Sequence, residues 1–201
     1  MQYAFQDQEN IYLVSDLMNG GDLRYHIGKR IKFGQDQTRF IIACLVVALE
    51  YIHSKCIIHR DIKPENLVFD KNGVIKVTDF GIAKTFQREN SHETSGTPSY
   101  MAPEVIFKQN HSYESDYYAV GVICHELMLN KRPYKGRTRK DLKEQMLHKK
   151  IKLRQSQCPR GWEAEVIDFV NQCLQRKPCK RLGYNGASEI MQHPWLKNFD
   201  W

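Results

Sequence analysis

At 201 residues, 41% hydrophobic and 26% charged, the chain suffices for one well-buried domain, and its composition excludes wholesale disorder. No long uncharged apolar run occurs, and the opening MQYAFQDQEN lacks a basic-then-apolar signal layout, so the expectation is a cytoplasmic protein, with the nucleus as alternative compartment. The net charge of +7 raises nucleic acid as a partner, but much of the excess sits in KGRTRKDLKEQMLHKKIKLR (135–154), which is poor in aromatics and reads as a solvated helix face, so no nucleic-acid partner is expected.

In chain order, YAF (3–5) and IYLVSDL (11–17) read as a hairpin whose second strand is buried. DQTRFIIACLVVALEYIHS (36–54) is apolar nearly all round and predicts a long central helix. LVF (67–69) and VIKVT (74–78) are short strands joined by a turn at Asp70-Lys71-Asn72-Gly73. DYYAVGVICHELML (116–129) predicts a second apolar helix, and Val166, Ile167, Val170, Cys173 and Leu174 follow the spacing of an amphipathic one. Helices dominate, with few strands. The six cysteines form no C-x-x-C pair and the histidines lack ligand spacing, so reduced core thiols are favoured over disulfides or zinc.

The stretch IIHRDIKPENLVFDKNGVIKVTDFG (57–81) carries the chemistry. Phosphoryl transfer to a hydroxyl needs a carboxylate for the hydroxyl proton, oxygen ligands for Mg²⁺ and a cation near the transferred group. Asp61 suits the first task and Lys63 the third. Asn66 and Asp79 suit the second from opposite sides of the short hairpin, with Phe80 packing inward to direct Asp79. Singly, each has a structural explanation: a capped turn, an Asx turn, a surface charge. The order and spacing of the set make coincidence untenable.

These residues resemble a eukaryotic serine/threonine protein kinase. His59-Arg60-Asp61 with Lys63 and Asn66 is similar to the catalytic loop, Asp79-Phe80-Gly81 to the magnesium-binding motif, and Ala102-Pro103-Glu104 to the end of the activation segment. Asp116 and Gly121 fit the helix beneath the catalytic loop, Arg181 the partner of Glu104, and HPWL (193–196) the final helix. Lys63 and Thr97 follow the serine/threonine pattern, with Thr97 bonding near Asp61 and Lys63. QYAFQD and LMNGGDLRYH resemble the cAMP-dependent-kinase-like (AGC) group, its YANK branch most.

The resemblance implies an α+β kinase-like fold, chiefly the helical C-terminal lobe plus the last strand pair of the N-terminal lobe. It implies ATP and Mg as cofactors and a protein substrate. Asp16 and Met18 would offer hinge backbone to adenine, Asp22 would reach the ribose, Val68 would lie under the base, and Ser15 would guard the back of the pocket. Glu65 and Thr78 complete the nucleotide-binding set. Asp22 and Glu65 could also favour basic residues upstream of the target hydroxyl, or be ordinary exposed carboxylates. Glu93 holds the usual phosphothreonine position and could partly replace phosphate in attracting Arg60; phosphorylated Thr94 is the alternative. Tyr118-Ala119 stand where the family has Trp-Ser, which implies altered packing rather than lost folding.

A glycine-rich phosphate loop and its strand lysine have no counterpart, since the first glycine is Gly20 and the first lysine Lys29. The expectation is therefore a kinase domain over 1–201 truncated at its N-terminus, with 1–17 a small-lobe and hinge remnant and 18–201 the C-terminal lobe. Weak or absent turnover follows, with Tyr3, Phe5, Ile11 and Leu13 forming a sticky patch that a partner would cover. A catalytically deficient binding module or decoy is the alternative.

Overall fold

The computed structural model describes residues 1–90, 94–136 and 138–201. Strands β1 (Tyr3–Gln6) and β2 (Ile11–Val14) form an antiparallel hairpin with Tyr3 opposite Val14 and Gln6 opposite Ile11. Asp7 closes its turn, accepting from the backbone N–H groups of Glu9 and Asn10 at 2.8 and 2.7 Å. The short helix α1 (Leu23–Gly28) follows, and then α2 (Gln35–Ser54), the longest element. Strands β3 (Ile57–Ile58), β4 (Leu67–Phe69), β5 (Ile75–Val77) and β6 (Lys84–Thr85) surround the chemical stretch, β3 pairing with β6 and β4 with β5. Helices α3 (Pro103–Ile106), α4 (Glu114–Leu129), α5 (Arg139–His148), α6 (Glu165–Cys173) and α7 (Ala187–Met191) complete the lobe. The expected α+β class holds.

Helix α4 is the axis of the core. Every residue from Glu114 to Met128 is buried, because α2 packs on one side and α6 on another. The contact with α6 is close enough that a Cβ on Gly121 would come within 2.5 Å of Cys173 Cβ, so only glycine fits there. Tyr118 is buried beneath the Arg181 guanidinium, 5.1 Å from its ring centroid, and so the tyrosine at this position is accommodated by a cation–π contact. At the β4–β5 turn, Asp70 Oδ1 accepts from the N–H groups of Asn72 and Val74 at 2.8 and 2.9 Å, an Asx turn that sets the register of the pair. All six cysteines are free thiols. Among the described residues no helix is long and apolar enough to cross a membrane.

Four expectations need correction. The strand expected over 11–17 ends at Val14, and neither it nor β1 is buried, since all eight strand residues are exposed. Consecutive large apolar residues read as two-sided burial, but here neither face of the hairpin is covered. Helix α2 is central on one side only, with Phe40, Val47 and Tyr51 on its outward side lining an apolar groove with Phe199 and Trp201. Phe80 does not pack inward: it is 49% exposed, set edge-on to His59 at 5.0 Å, and borders the same open groove. HPWL lies in turns beyond α7 rather than in a helix, because Pro194 removes a backbone donor. Trp195 nonetheless anchors it, buried against Phe169 at 4.9 Å.

Candidate functional site

The site is built on one buried carboxylate. Asp116, in the first turn of α4, accepts from the backbone N–H groups of His59 and Arg60, both at 2.9 Å, and its Oδ2 lies 2.9 Å from His53 Nε2. Burial alone would raise its pKa, but the His53 contact and the His59 amide outweigh that and hold it below the ordinary value. The grip is needed because Arg60 has φ of 67°, a left-handed conformation that costs a non-glycine residue energy. His59 then bridges two segments of the chain: Nε2–H donates to Thr78 O at 3.1 Å, leaving Nδ1 to accept from Asp61 N at 3.3 Å. The residue preceding Asp79 is thereby tied to the backbone of Asp61.

The Asp61 carboxylate is surrounded by donors. Thr97 N–H and Oγ1–H donate to Oδ1 at 2.9 and 2.8 Å, and Lys63 Nζ donates to Oδ2 at 2.6 Å and reaches Thr97 Oγ1 at 3.1 Å. Burial pushes the Asp61 pKa up, yet the bonds from Lys63 and Thr97 prevail and lower it. Thr97 is delivered by Gly96, whose φ is +115° and at which a Cβ would meet Arg60 O at 2.4 Å. Asn66 Nδ2 donates to Asp61 O at 2.9 Å, which orients the amide oxygen as the remaining ligand atom. Its backbone O accepts from Thr78 N at 3.0 Å, so the residue that follows Thr78 starts beside Asn66.

Asp79 has φ of 64° and its Oδ1 accepts from Gly81 N at 3.2 Å. Asn66 and Asp79 offer oxygen donors only, and among the described residues no group of three or more His, Cys, Asp or Glu is arranged to hold a metal. That donor set fits a hard cation such as Mg²⁺, which keeps part of its shell from water and phosphate oxygens.

The residues read as nucleotide contacts lie around the link between hairpin and lobe. Asp22 and Val68 form an isolated antiparallel bridge, flanked by Gly20 N–H to Phe69 O at 3.0 Å and Phe69 N–H to Gly21 O at 2.9 Å. Asp22 also caps α1, its Oδ1 accepting from Tyr25 N at 2.8 Å. Asp16 Oδ1 accepts from Gln2 Nε2 at 2.9 Å, and Met18 is half-buried two residues on. Ser15 is exposed. Glu93 lies outside the described residues.

Farther along, Arg181 donates to both oxygens of Glu104 at 2.5 and 2.8 Å, with both residues buried. It also donates to the carbonyl oxygens of Glu114 and Gln175, and so joins α3, α4 and the segment after α6. A further cluster escaped the sequence reading: Arg24 on α1, Tyr100 and Glu126. Its one signal was a carboxylate, Glu126, in the apolar C-terminal half of α4.

With that geometry in hand, a family model described as protein kinase domain matches residues 1–196. Over its whole length the chain is 38% identical to a probable serine/threonine-protein kinase of Dictyostelium discoideum, of which it covers 43%. It is 36% identical to ribosomal protein S6 kinase 2 alpha of Gallus gallus and 35% to ribosomal protein S6 kinase alpha-2 of Homo sapiens, covering 27% of each. The chain thus spans less than half the length of these curated relatives.

Proposed function

The chain belongs to the protein kinase family, and from that premise we propose that it transfers the ATP γ-phosphoryl group to serine or threonine hydroxyls of a protein substrate. The observation that carries this reading is the Asp61 carboxylate, gripped by Thr97 on one oxygen and by Lys63 on the other. The relatives, a probable serine/threonine-protein kinase and ribosomal protein S6 kinases, agree with it. We assign residues 1–201 to one kinase domain, with 1–17 its small-lobe and hinge portion and 18–201 its C-terminal lobe. The subgroup assignment, AGC and its YANK branch, rests on QYAFQD and LMNGGDLRYH.

Bound Mg–ATP supplies the transferable phosphoryl group and neutralises its charge. The chain's own residues do the rest. Asp61 orients the substrate hydroxyl and accepts its proton. Because its pKa lies below the ordinary carboxylate value, it is ionised at neutral pH and is a weak base, suited to taking the proton late in the transfer. In the conformation described, Lys63 and Thr97 already occupy its oxygens, so the hydroxyl must replace one of them. Lys63 is the mobile partner: turning away from Asp61 Oδ2 takes its ammonium to the side where negative charge develops. Thr97 stays and holds the carboxylate plane. Asn66 and Asp79 would be the metal-holding residues, Asp16 and Met18 the backbone contacts of the base, and Val68, Asp22, Glu65 and Thr78 the rest of the nucleotide's surroundings.

The test is Asp61→Asn, assayed by phosphate transfer from ATP to a serine peptide, with thermal unfolding alongside. Turnover should fall about 10²- to 10⁴-fold, the usual worth of a positioned general base, at an unchanged melting temperature. Undiminished turnover in the folded variant would overturn the assignment.

A further inference from the structure

Arg24 projects from α1 into the acidic ground beside the catalytic loop. Its Nε donates to Glu65 Oε1 at 2.9 Å, while Nη1 and Nη2 donate to Glu126 Oε1 and Oε2 at 3.1 and 3.2 Å. Nη2 also donates to the Tyr100 hydroxyl, which itself donates to Glu126 Oε2 at 2.5 Å. The guanidinium fork is therefore spent on two carboxylates and a phenol from three separate segments of the chain. Glu126 is buried in α4, whereas Glu65 is 43% exposed and Arg24 30%, so the cluster opens to the surface on the Glu65 side.

Its position links it to the chemistry from two directions. Glu65 immediately precedes Asn66, whose amide is bound to Asp61 O. Tyr100 N–H donates to Thr97 O at 3.0 Å, and Thr97 holds the Asp61 carboxylate. A peptide presenting its hydroxyl to Asp61 must lay its flanking residues near this ground. Two carboxylates there would ordinarily select a basic side chain from the substrate. Asp22, the other acid suited to that task, spends an oxygen on the N-cap of α1.

Resting on the kinase reading above, we propose that Arg24 is a specificity-determining residue: it fills from within the acidic subsite that would otherwise take a substrate arginine, so that this enzyme does not demand a basic residue upstream of its target hydroxyl. An intramolecular competitor is always present at high effective concentration, and a substrate arginine can enter only by displacing a guanidinium already bound on three sides. The substrate class that fits best is a serine or threonine peptide with uncharged residues upstream. Removing the guanidinium should open the pair Glu65–Glu126 and turn the enzyme toward basic substrates.

The experiment compares serine peptides carrying arginine, or its neutral isostere citrulline, at each upstream position in turn. Binding is read by fluorescence anisotropy and phosphate transfer is read in parallel. The wild-type protein should bind each arginine peptide within about twofold of its citrulline partner, whereas Arg24→Gln should favour arginine about tenfold at one position, the worth of a charge-assisted hydrogen bond. Arg24→Lys, which keeps the charge but cannot fork across both acids, should fall between them and serves if Arg24→Gln does not fold. A wild-type preference for arginine as large as that of the variant, no gain in either folded variant, or failure of any peptide to bind overturns the inference. Failure of the kinase reading appears separately, as absence of phosphate transfer to every peptide, while the binding ratios still report on Arg24.

Discussion

The hairpin β1–β2 and the frame around Asp116 both carry large apolar side chains, and they use them in opposite ways. Tyr3, Phe5, Ile11 and Leu13 are between 55% and 75% exposed, and their best local contact is the stacking of Phe5 on Tyr12 at 4.9 Å. Around Asp116, every residue of α4 up to Met128 is buried, and the Asp116 and Glu126 carboxylates each accept from several donors. A two-stranded hairpin holds its shape through its ladder and turn, and contributes little to global stability. The frame, by contrast, ties the catalytic loop to α4 through backbone amides, and through Arg181 ties α3 to α4. The buried charges that hold the frame together therefore also fix the backbone of the candidate site.

The sharpest way to break that contrast is Arg181→Leu. It strands the Glu104 carboxylate and two carbonyl oxygens in the core, and should lower unfolding stability by about 3–5 kcal/mol, the usual cost of breaking a buried ion pair, as measured by urea denaturation. A loss comparable to that of a surface substitution would mean that the buried frame does not dominate stability.

A smaller effect belongs to acid. The Asp116 pKa is lowered in the folded state, so its contribution is fully present above the unfolded carboxylate value of about 4 and is lost as pH falls through the lower folded value. Urea midpoints should drop below about pH 4, and more steeply for the wild type than for Asp116→Asn. Parallel curves would remove Asp116 from the account of acid sensitivity.

The smallest effect is expected in the hairpin. Leu13→Ser should change stability by less than about 0.5 kcal/mol, because the side chain is 67% exposed and little is lost with it. The same change should reduce binding of a hydrophobic dye. A destabilisation as large as that of the frame variant would show that the hairpin is part of the cooperative unit.

Much of this was legible in the residues alone. The strands at 67–69 and 75–77, the turn between them, and helices α2, α4 and α6 follow from apolar period and turn chemistry, which are local properties. Asp61, Lys63, Asn66 and Asp79 stand within one short stretch, so their order alone was enough to single them out as candidates. Thr97 was legible through its motif, although its contact with Asp61 spans 36 positions. Burial was less legible. The strand at 11–14 and Phe80 have the composition of core residues, and composition does not say whether a neighbour is present to cover them.

By itself, then, the sequence determined which candidate residues stand together and the periodic elements that carry them, because both are written in short-range spacing. The tertiary structure decided which charges face each other. Arg24 and Glu126 are 102 positions apart, and Glu104 and Arg181 are 77 apart. No local pattern relates such residues; only the packing of α1, α3 and the segment after α6 around α4 brings them within hydrogen-bonding distance. The same packing decided the fate of the apolar side chains, since burial depends on the surface another element presents and not on the residue that seeks it.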